Sequence, residues 1–455
     1  MAAVLVLLLG SFAVFIAARG LARPIVRLVA LCFMAHLLGA AGQVWMHTDY
    51  YGGGDMVTYM RNGAPIARLL QADLGRWGPE WLRLFFHMDN ELPFVHGAGG
   101  TSGTMVALGA ASAFVFDRPT PLWELCLLTG ATSTLGQIWI CKAALSWFDE
   151  RWHRSIAIGV LLVPSVVFWS SALMKEAVAL PFLAILLAST SALVKKRYAR
   201  GIAGVIIGGI GVGLVKGYLL MPFVLAVAGA AYVAKNGGAK ERRKLEWHYA
   251  LAAGVISVVG LAGISAAFPQ YAPNMIAEST ARYQATYETL ETIGQGGSNV
   301  DLGEGGGDVS LFGQLKRVPL ATVNALFRPM FFEAHSVVQL AASLETLAVV
   351  VLLLRLLRFG PGRALSMVTN SPPLTFCALF SLTFSVAVGL TTLNLGTLSR
   401  YRIPMMPFLT VLLFVLGQQA KRETVPKAIE IPGRAALRLA AARNRERILA
   451  QRRRA

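Results

Sequence analysis

Several groups of ionisable residues stand at the edges of long apolar runs. A charge near hydrocarbon is costly there and is normally kept for a partner or a task. Asp49, Asp55 and Tyr59 fall in "HTDYYGGGDMVTYMRNGAPIARLL" (47–70), where a glycine triplet lets backbone approach a bulky ligand and a carboxylate aimed into a cavity would serve as general base. The alternative is that Asp55 caps the helix that follows it. In "PSVVFWSSALMKEAVALPF" (164–182), Lys175 and Glu176 lie between two apolar runs, with Trp169 and two serines just before them. An aromatic and two hydroxyls suit contact with a sugar or a phosphate, and Glu176 is a second candidate carboxylate; a solvated tight turn is the plain alternative. Lys216 in "GLVKGYLLMPF" (213–223) is a lone ammonium that either binds an anionic head group or snorkels to the interface. Arg400, Tyr401 and Arg402 in "NLGTLSRYRIPMMPFL" (394–409) put two guanidiniums beside an entering helix, a pattern suited to bidentate capture of phosphate or diphosphate. Interfacial anchoring is the alternative. A weaker group, Arg328, Glu333 and His335, brackets the aromatics of "FRPMFFEAHS" (327–336).

The elements that must position these residues are membrane helices. The chain has 455 residues, 55% hydrophobic and only 15% charged, and its apolar residues come in runs long enough to cross ~30 Å of hydrocarbon. The fold expected is an all-α, polytopic transmembrane bundle of about 11–12 spans. Crossings are expected at 2–18, 28–46, 121–147, 155–174, 177–194, 201–215, 218–234, 249–267, 337–357, 372–395 and 403–418. They form one transmembrane domain over 1–420, followed by a basic tail over 421–455. The first run is read as a retained helix rather than a signal peptide, because a second apolar run follows almost at once. "GTMVALGAASAFVF" (103–116) is too short for a crossing and is read as re-entrant or interfacial. The glycines of "GVIIGGIGVG" (204–213) sit inside a span as helix-packing residues.

A net charge of +18 would suggest nucleic acid in a soluble protein. Here the basic residues cluster at segment ends and mark the cytoplasmic faces. The N-terminus is thereby placed outside and the tail inside, with the loops 47–102, 268–336 and 394–402 on the outer face. In the first loop, Trp81, Leu84, Phe85 and Met88 share one helical stripe, which suggests a helix lying on the membrane surface. The second contains the acidic, glycine-rich "GQGGSNVDLGEGGGDVS" (294–310); Asp301, Glu304 and Asp308 lack the rest of a calcium loop and read as a solvated linker. The tail reads as a basic helix on an anionic leaflet, and its lack of aromatics argues against RNA. Cys32, Cys126, Cys141 and Cys377 all fall in apolar runs and read as core residues. No P-loop, HExxH or GxSxG motif is present, and no metal cluster is evident, so a divalent cation stays an open cofactor with no clear site.

With the acidic first loop, "PSVVFWSSALMKEA", "RPMFFEA" and "RYRIPMMPFL" in view, the chain resembles bacterial multi-spanning proteins of polysaccharide assembly. It is most similar to membrane glycosyltransferases of the GT-C superfamily and to polymerase-like relatives. The resemblance implies an inner-membrane enzyme using a polyprenyl-linked sugar donor and a glycan or lipid acceptor at the outer face, alongside membrane lipids and other polysaccharide-assembly proteins, without nucleic acid. It implies that an aspartate of the first outer loop, Asp55 or Asp49, acts as base. Lys216, Arg400 and Arg402 would hold the lipid-linked phosphate. The loop here lacks the Asp-Glu pair of many such enzymes, so the choice of base stays open. An O-antigen-type polymerase is the alternative within the class, and a transporter or flippase the alternative outside it.

The charge bias makes a direct topological prediction. In a cysteine-free background, single cysteines placed at Gly53, Gly297 and Thr397 react with a membrane-impermeant thiol reagent added to intact cells, and ones at Lys240 and Arg443 do not. Labelling at Lys240 would overturn the assignment of faces.

Overall fold

The computed structural model describes residues 1–93, 97–236, 258–266, 268–269, 272–292 and 311–424. Among them the chain is all-α, with no β-strand. The helices that matter for the site are α1 (Ala2–Ala18), α2 (Arg23–Trp45), α3 (Asp55–Ala72), α4 (Leu74–Phe85), α5 (Thr101–Phe116), α6 (Leu122–Leu145), α7 (Glu150–Leu161), α8 (Pro164–Trp169), α9 (Lys175–Val194), α10 (Tyr198–Lys216) and α11 (Leu220–Asn236). They are followed by α12 (Pro273–Thr292), α13 (Leu311–Phe327), α14 (Val337–Phe359), α15 (Pro361–Asn370), α16 (Pro372–Thr391), α17 (Leu395–Tyr401) and α18 (Met406–Thr424).

Among the described residues six helical runs are long and apolar enough to cross a membrane: Arg23–Tyr50, Lys175–Val194, Tyr198–Lys235, Val337–Arg358, Pro372–Thr391 and Leu395–Gln418. Bands of apolar side chains lie exposed on them and on α1, including Leu5, Leu9, Phe12, Leu38, Ile202, Ile206, Leu344 and Leu347. Surfaces of that extent belong against lipid rather than water, as befits a multi-pass membrane protein.

These runs account for part of the eleven expected crossings, and the others depart from a long apolar helix for identifiable reasons or lie partly outside the described residues. The run 155–174 is not one helix. Pro164 lacks an amide hydrogen and starts the short α8 after a break at Leu162 and Val163, and residues 170–174 are non-helical. The run 121–147 is a helix of 24 residues, diluted by Glu124, Gln137, Lys142 and a set of threonines and serines. Residues 2–18 form a helix of 17 residues, short of the usual span. The segments 201–215 and 218–234 belong to one helical path of 38 residues, interrupted at Lys216 by φ −153° and ψ 56° and by the 3-10 turn Gly217–Leu219. Of 249–267, 258–266 is described and helical; the acidic segment 294–310 and the tail from 425 lie outside the described residues.

Two helix pairs set the geometry of the site. α9 and α10 form a hairpin closed by small residues: a Cβ at Gly204 would meet Ser189, one at Gly208 would stand 3.0 Å from the Phe182 carbonyl, and one at Gly211 would enter the Phe182 ring. These are the expected packing glycines, and their contacts set the hairpin's register. The second pair is α3 and α5. A Cβ at Gly63 would lie 2.4 Å from the Ala110 amide and one at Gly109 2.6 Å from the Tyr59 carbonyl, so the two backbones touch. α5, the short apolar segment of 16 residues, is thus packed inside the protein, with Met105, Val106, Ala107 and Ala110 fully buried.

α4 packs on α5: Trp81 donates to the Ala107 carbonyl at 2.9 Å and Leu84 is fully buried, so part of the amphipathic stripe is covered by protein. Met88 has left the helix and is exposed. His87 turns the chain with φ 61° and its Nε2 lies 2.8 Å from the Thr104 hydroxyl and 3.1 Å from the Leu214 carbonyl, tying the first loop to the end of α10. Burial lowers the pKa of its imidazole from the ordinary histidine value.

If the glycine face fixes the hairpin, Gly208→Val forces α9 and α10 apart and costs about 1–3 kcal/mol of stability. The neighbouring Gly209, whose Cβ would meet nothing within 4 Å, tolerates the same change with a small loss. Thermal unfolding of both variants in detergent checks this; equal loss at the two positions contradicts it.

Candidate functional site

α9 begins at Lys175, so Glu176 lies in its first turn, where the helix dipole favours a carboxylate. α10 ends at Lys216, where the dipole favours a cation. The hairpin brings these ends together, and Lys216 Nζ stands 2.5 Å from Glu176 Oε1 with both side chains 2% exposed. Lys216 is therefore neither solitary nor snorkelling, and the expected solvated turn at Lys175 and Glu176 is a helix start facing a buried partner. The ammonium also sits 4.5 Å from the centre of the Tyr401 ring and 5.5 Å from that of Tyr218.

Arg400 completes the cluster. Asn394 caps α17 by accepting from the Gly396 and Thr397 amides, which fixes the short helix that carries Arg400. Arg400 Nη2 reaches Asp55 Oδ2 at 2.8 Å, and its Nε lies 3.8 Å from Glu176 Oε1. Asp55 is not the N-cap: Gly54 is, and its φ of 128° is a conformation glycine permits. A Cβ there would also come within 2.7 Å of the His47 ring. The Asp55 carboxylate is thereby free to face Arg400, with its side chain 46% exposed.

Two more expected residues join. Tyr59, one turn after Asp55, is buried, and burial followed by the nearby Asp55 charge raises its pKa. Lys175 donates to the Thr101 hydroxyl at 2.8 Å and the Ser102 hydroxyl at 3.2 Å, bringing the start of α5 to the cluster, and lies within electrostatic reach of Glu176, Asp55 and Arg400. Three cations thus face two carboxylates, leaving one positive charge in excess.

The remaining candidates sit elsewhere. Asp49 is exposed in the π-helical turn Met46–Tyr50, where it accepts from the Thr48 hydroxyl. Arg402 does not share a clamp with Arg400. It is 1% exposed and donates to the Thr346 hydroxyl at 2.9 Å and the Arg328 carbonyl at 3.2 Å, with Glu345 at 3.6 Å. Residues two apart on a helix point about 200° from each other, so a shared grip was not to be expected of them. Trp169 ends α8, but the serines beside it are in the turn and already bonded: Ser170 Oγ lies 3.1 Å from His36 Nε2 and Ser171 donates to the Val167 carbonyl. They are not free for a sugar.

Arg328 pairs with Glu333 at 2.6 Å, and Glu333 also accepts from the Met330 amide. Burial alone would raise the Glu333 pKa, but these contacts hold it below the ordinary carboxylate value. His335 is exposed, and its backbone amide donates to Gln339.

Glu345 went unnoticed because it lies inside an apolar run. It accepts from the Ser165 amide and hydroxyl at 2.9 and 2.8 Å, capping α8 from across the bundle. A lone carboxylate within a span was the signal that pointed to it. Among the described residues no group of three or more His, Cys, Asp and Glu is placed to hold a metal ion.

No family model, curated protein or solved structure matches this chain.

The Glu176–Lys216 pair yields a stability prediction. Removing one partner strands a buried charge, so Glu176→Gln or Lys216→Met each costs about 3–5 kcal/mol, whereas the double variant recovers a large part of that loss. Unfolding of the three proteins in detergent measures the coupling; strictly additive losses would show that the pair does not act as one.

Proposed function

We propose that this protein is a membrane glycosyltransferase that takes a sugar from a polyprenyl-phosphate-linked donor, at the face the charge bias assigns to the outside of a bacterial inner membrane. One observation carries the reading: Asp55, Lys175, Glu176, Lys216 and Arg400, distant in sequence, converge with a surplus of one positive charge beside a half-exposed carboxylate. Such a site suits an anionic leaving group next to a base. The acceptor is a glycan or lipid hydroxyl, and a divalent cation remains an open cofactor.

In this mechanism Asp55 takes the acceptor hydroxyl's proton as the oxygen attacks the anomeric carbon. Arg400 offsets the charge that grows on the departing phosphate, with Lys175 adding to the positive field. Glu176 is sealed from solvent, so its part is to hold Lys216 and Arg400 in place. The polymerase alternative, acting on a diphosphate-linked oligosaccharide, uses the same groups. A flippase is less well supported, since Asp55, Glu176 and Arg400 gather in one cluster instead of marking a path across the bilayer.

The test is activity per folded molecule in nanodiscs with a purified polyprenyl-phosphate sugar. Asp55→Asn lowers turnover by ~10²–10⁴. Arg400→Lys keeps the charge but loses the planar fork and retains part of the activity; Arg400→Ala loses roughly ten- to a hundredfold, in turnover more than in donor affinity. Full activity in both Asp55→Asn and Arg400→Ala would remove the cluster from the chemistry.

A further inference from the structure

A second buried cation lies on other helices. Arg317, on α13, is 6% exposed, and its Nη1 donates to Gln284 Oε1 on α12. Its Nη2 is buried and donates to nothing. Gln284, itself 1% exposed, is held in place from two sides: its Nε2 donates to Gln314 Oε1 and to the Leu390 carbonyl, both at 3.2 Å. Amide oxygens solvate a guanidinium but bring no net charge, and among the described residues no carboxylate forms an ion pair with Arg317. A buried charge in that condition lacks the Coulombic return that offsets its desolvation.

The helix geometry adds a second orphan donor. Ala321 is one turn beyond Arg317 on the same face. A Cβ at Gly389 of α16 would stand 2.0 Å from the Ala321 carbonyl, so α13 and α16 touch there. The bond from Gln284 to Leu390 brings α12 to the same end of α16. Thr392 follows immediately; it is 1% exposed, and its hydroxyl also lacks a hydrogen-bond partner. One guanidinium nitrogen, Arg317 Nη2, and the Thr392 hydroxyl are buried and unmet near one end of α16, and both are donors suited to an oxyanion.

We propose that Arg317 and Thr392 form an anion site for a phosphate group, either the headgroup of an anionic lipid or a soluble phosphate. The site shares no residue with the Asp55–Arg400 cluster and does not depend on the glycosyltransferase reading. Among the described residues it brings in no carboxylate, and the role proposed for it is binding.

The test uses the full chain carrying Arg400→Gln, so that the other cationic cluster contributes less. The protein is placed in phosphatidylcholine nanodiscs, and its unfolding temperature is followed against inorganic phosphate at constant ionic strength. The parent is stabilised with saturation. Adding Arg317→Gln raises the half-saturating concentration about tenfold or more, because a charge-assisted hydrogen bond is lost. Arg317→Lys keeps part of the response, and Thr392→Val weakens it several-fold; these two carry the test if the glutamine variant fails to fold. In phosphatidylglycerol nanodiscs, stabilisation that is present before phosphate is added and depends on Arg317 identifies a lipid headgroup. Stabilisation that needs added phosphate in both lipids identifies a soluble anion. An equal phosphate response with and without Arg317 overturns the proposal. So does a response that appears only after Asp301→Asn, Glu304→Gln and Asp308→Asn are combined, since that would identify the chain's own acidic segment as the occupant.

Discussion

A glutamate and a lysine buried against each other, Glu176 and Lys216, impose the strictest demand on this protein. Even after relaxation, each ion loses several kcal/mol on leaving water, and the pair is tolerable only where geometry and further contacts compensate. The helix termini supply dipoles of the right sign at each end. The Tyr401 ring adds a face for the ammonium, and Arg400 adds a second cation for the carboxylate. The register that makes this possible comes from the α9–α10 hairpin, where side chains on the glycine face would push the helices apart. A packing feature deep in the apolar part of the chain therefore determines the electrostatics at its polar end.

The fold class and the candidate residues were legible because they depend on local pattern. Runs of apolar residues announce helices whatever they pack against, and Lys175, Glu176, Lys216 and Arg400 stood out because charges beside such runs are rare. The α10 glycines were legible for the same reason. Pairing was not legible. Nothing local says that Lys216 meets Glu176, 40 residues away, or that Asp55 meets Arg400 across most of the chain. The amphipathic stripe of α4 was legible as a stripe but its packing on α5 was not, since a stripe states that something apolar covers it and not what does. The division of 155–174 was missed because hydropathy is blind to a proline in the middle of an apolar run.

Arg400 and Arg402 show how the same sequence pattern can serve two ends. Both lie at the end of α17, but helical rotation sends one toward Asp55 and Glu176 and the other toward Glu345, Thr346 and the Arg328 carbonyl. Glu345 in turn caps α8, the short helix whose end leads through residues 170–174 into Lys175. The Arg402–Glu345 contacts thus brace both flanks of the Asp55–Arg400 cluster, α17 through Arg402 and the approach to α9 through Ser165. Loss of Arg402 would therefore act on Arg400 through the end of α17 that carries both.

That arrangement also separates the two carboxylates of the cluster. Glu176 is anchored by Lys216 and Arg400 and closed to solvent, so a proton taken up there would weaken the contacts that hold the cluster together. Among the described residues Asp55 forms an ion pair with Arg400 alone, and its side chain is 46% exposed. In the proposed mechanism it is the carboxylate that an incoming hydroxyl can reach while the buried charges stay where they are. A site built this way keeps its paired charges in the interior and leaves Asp55 at its accessible edge, so that the carboxylate proposed to meet the acceptor is not one on which the surrounding helices rely.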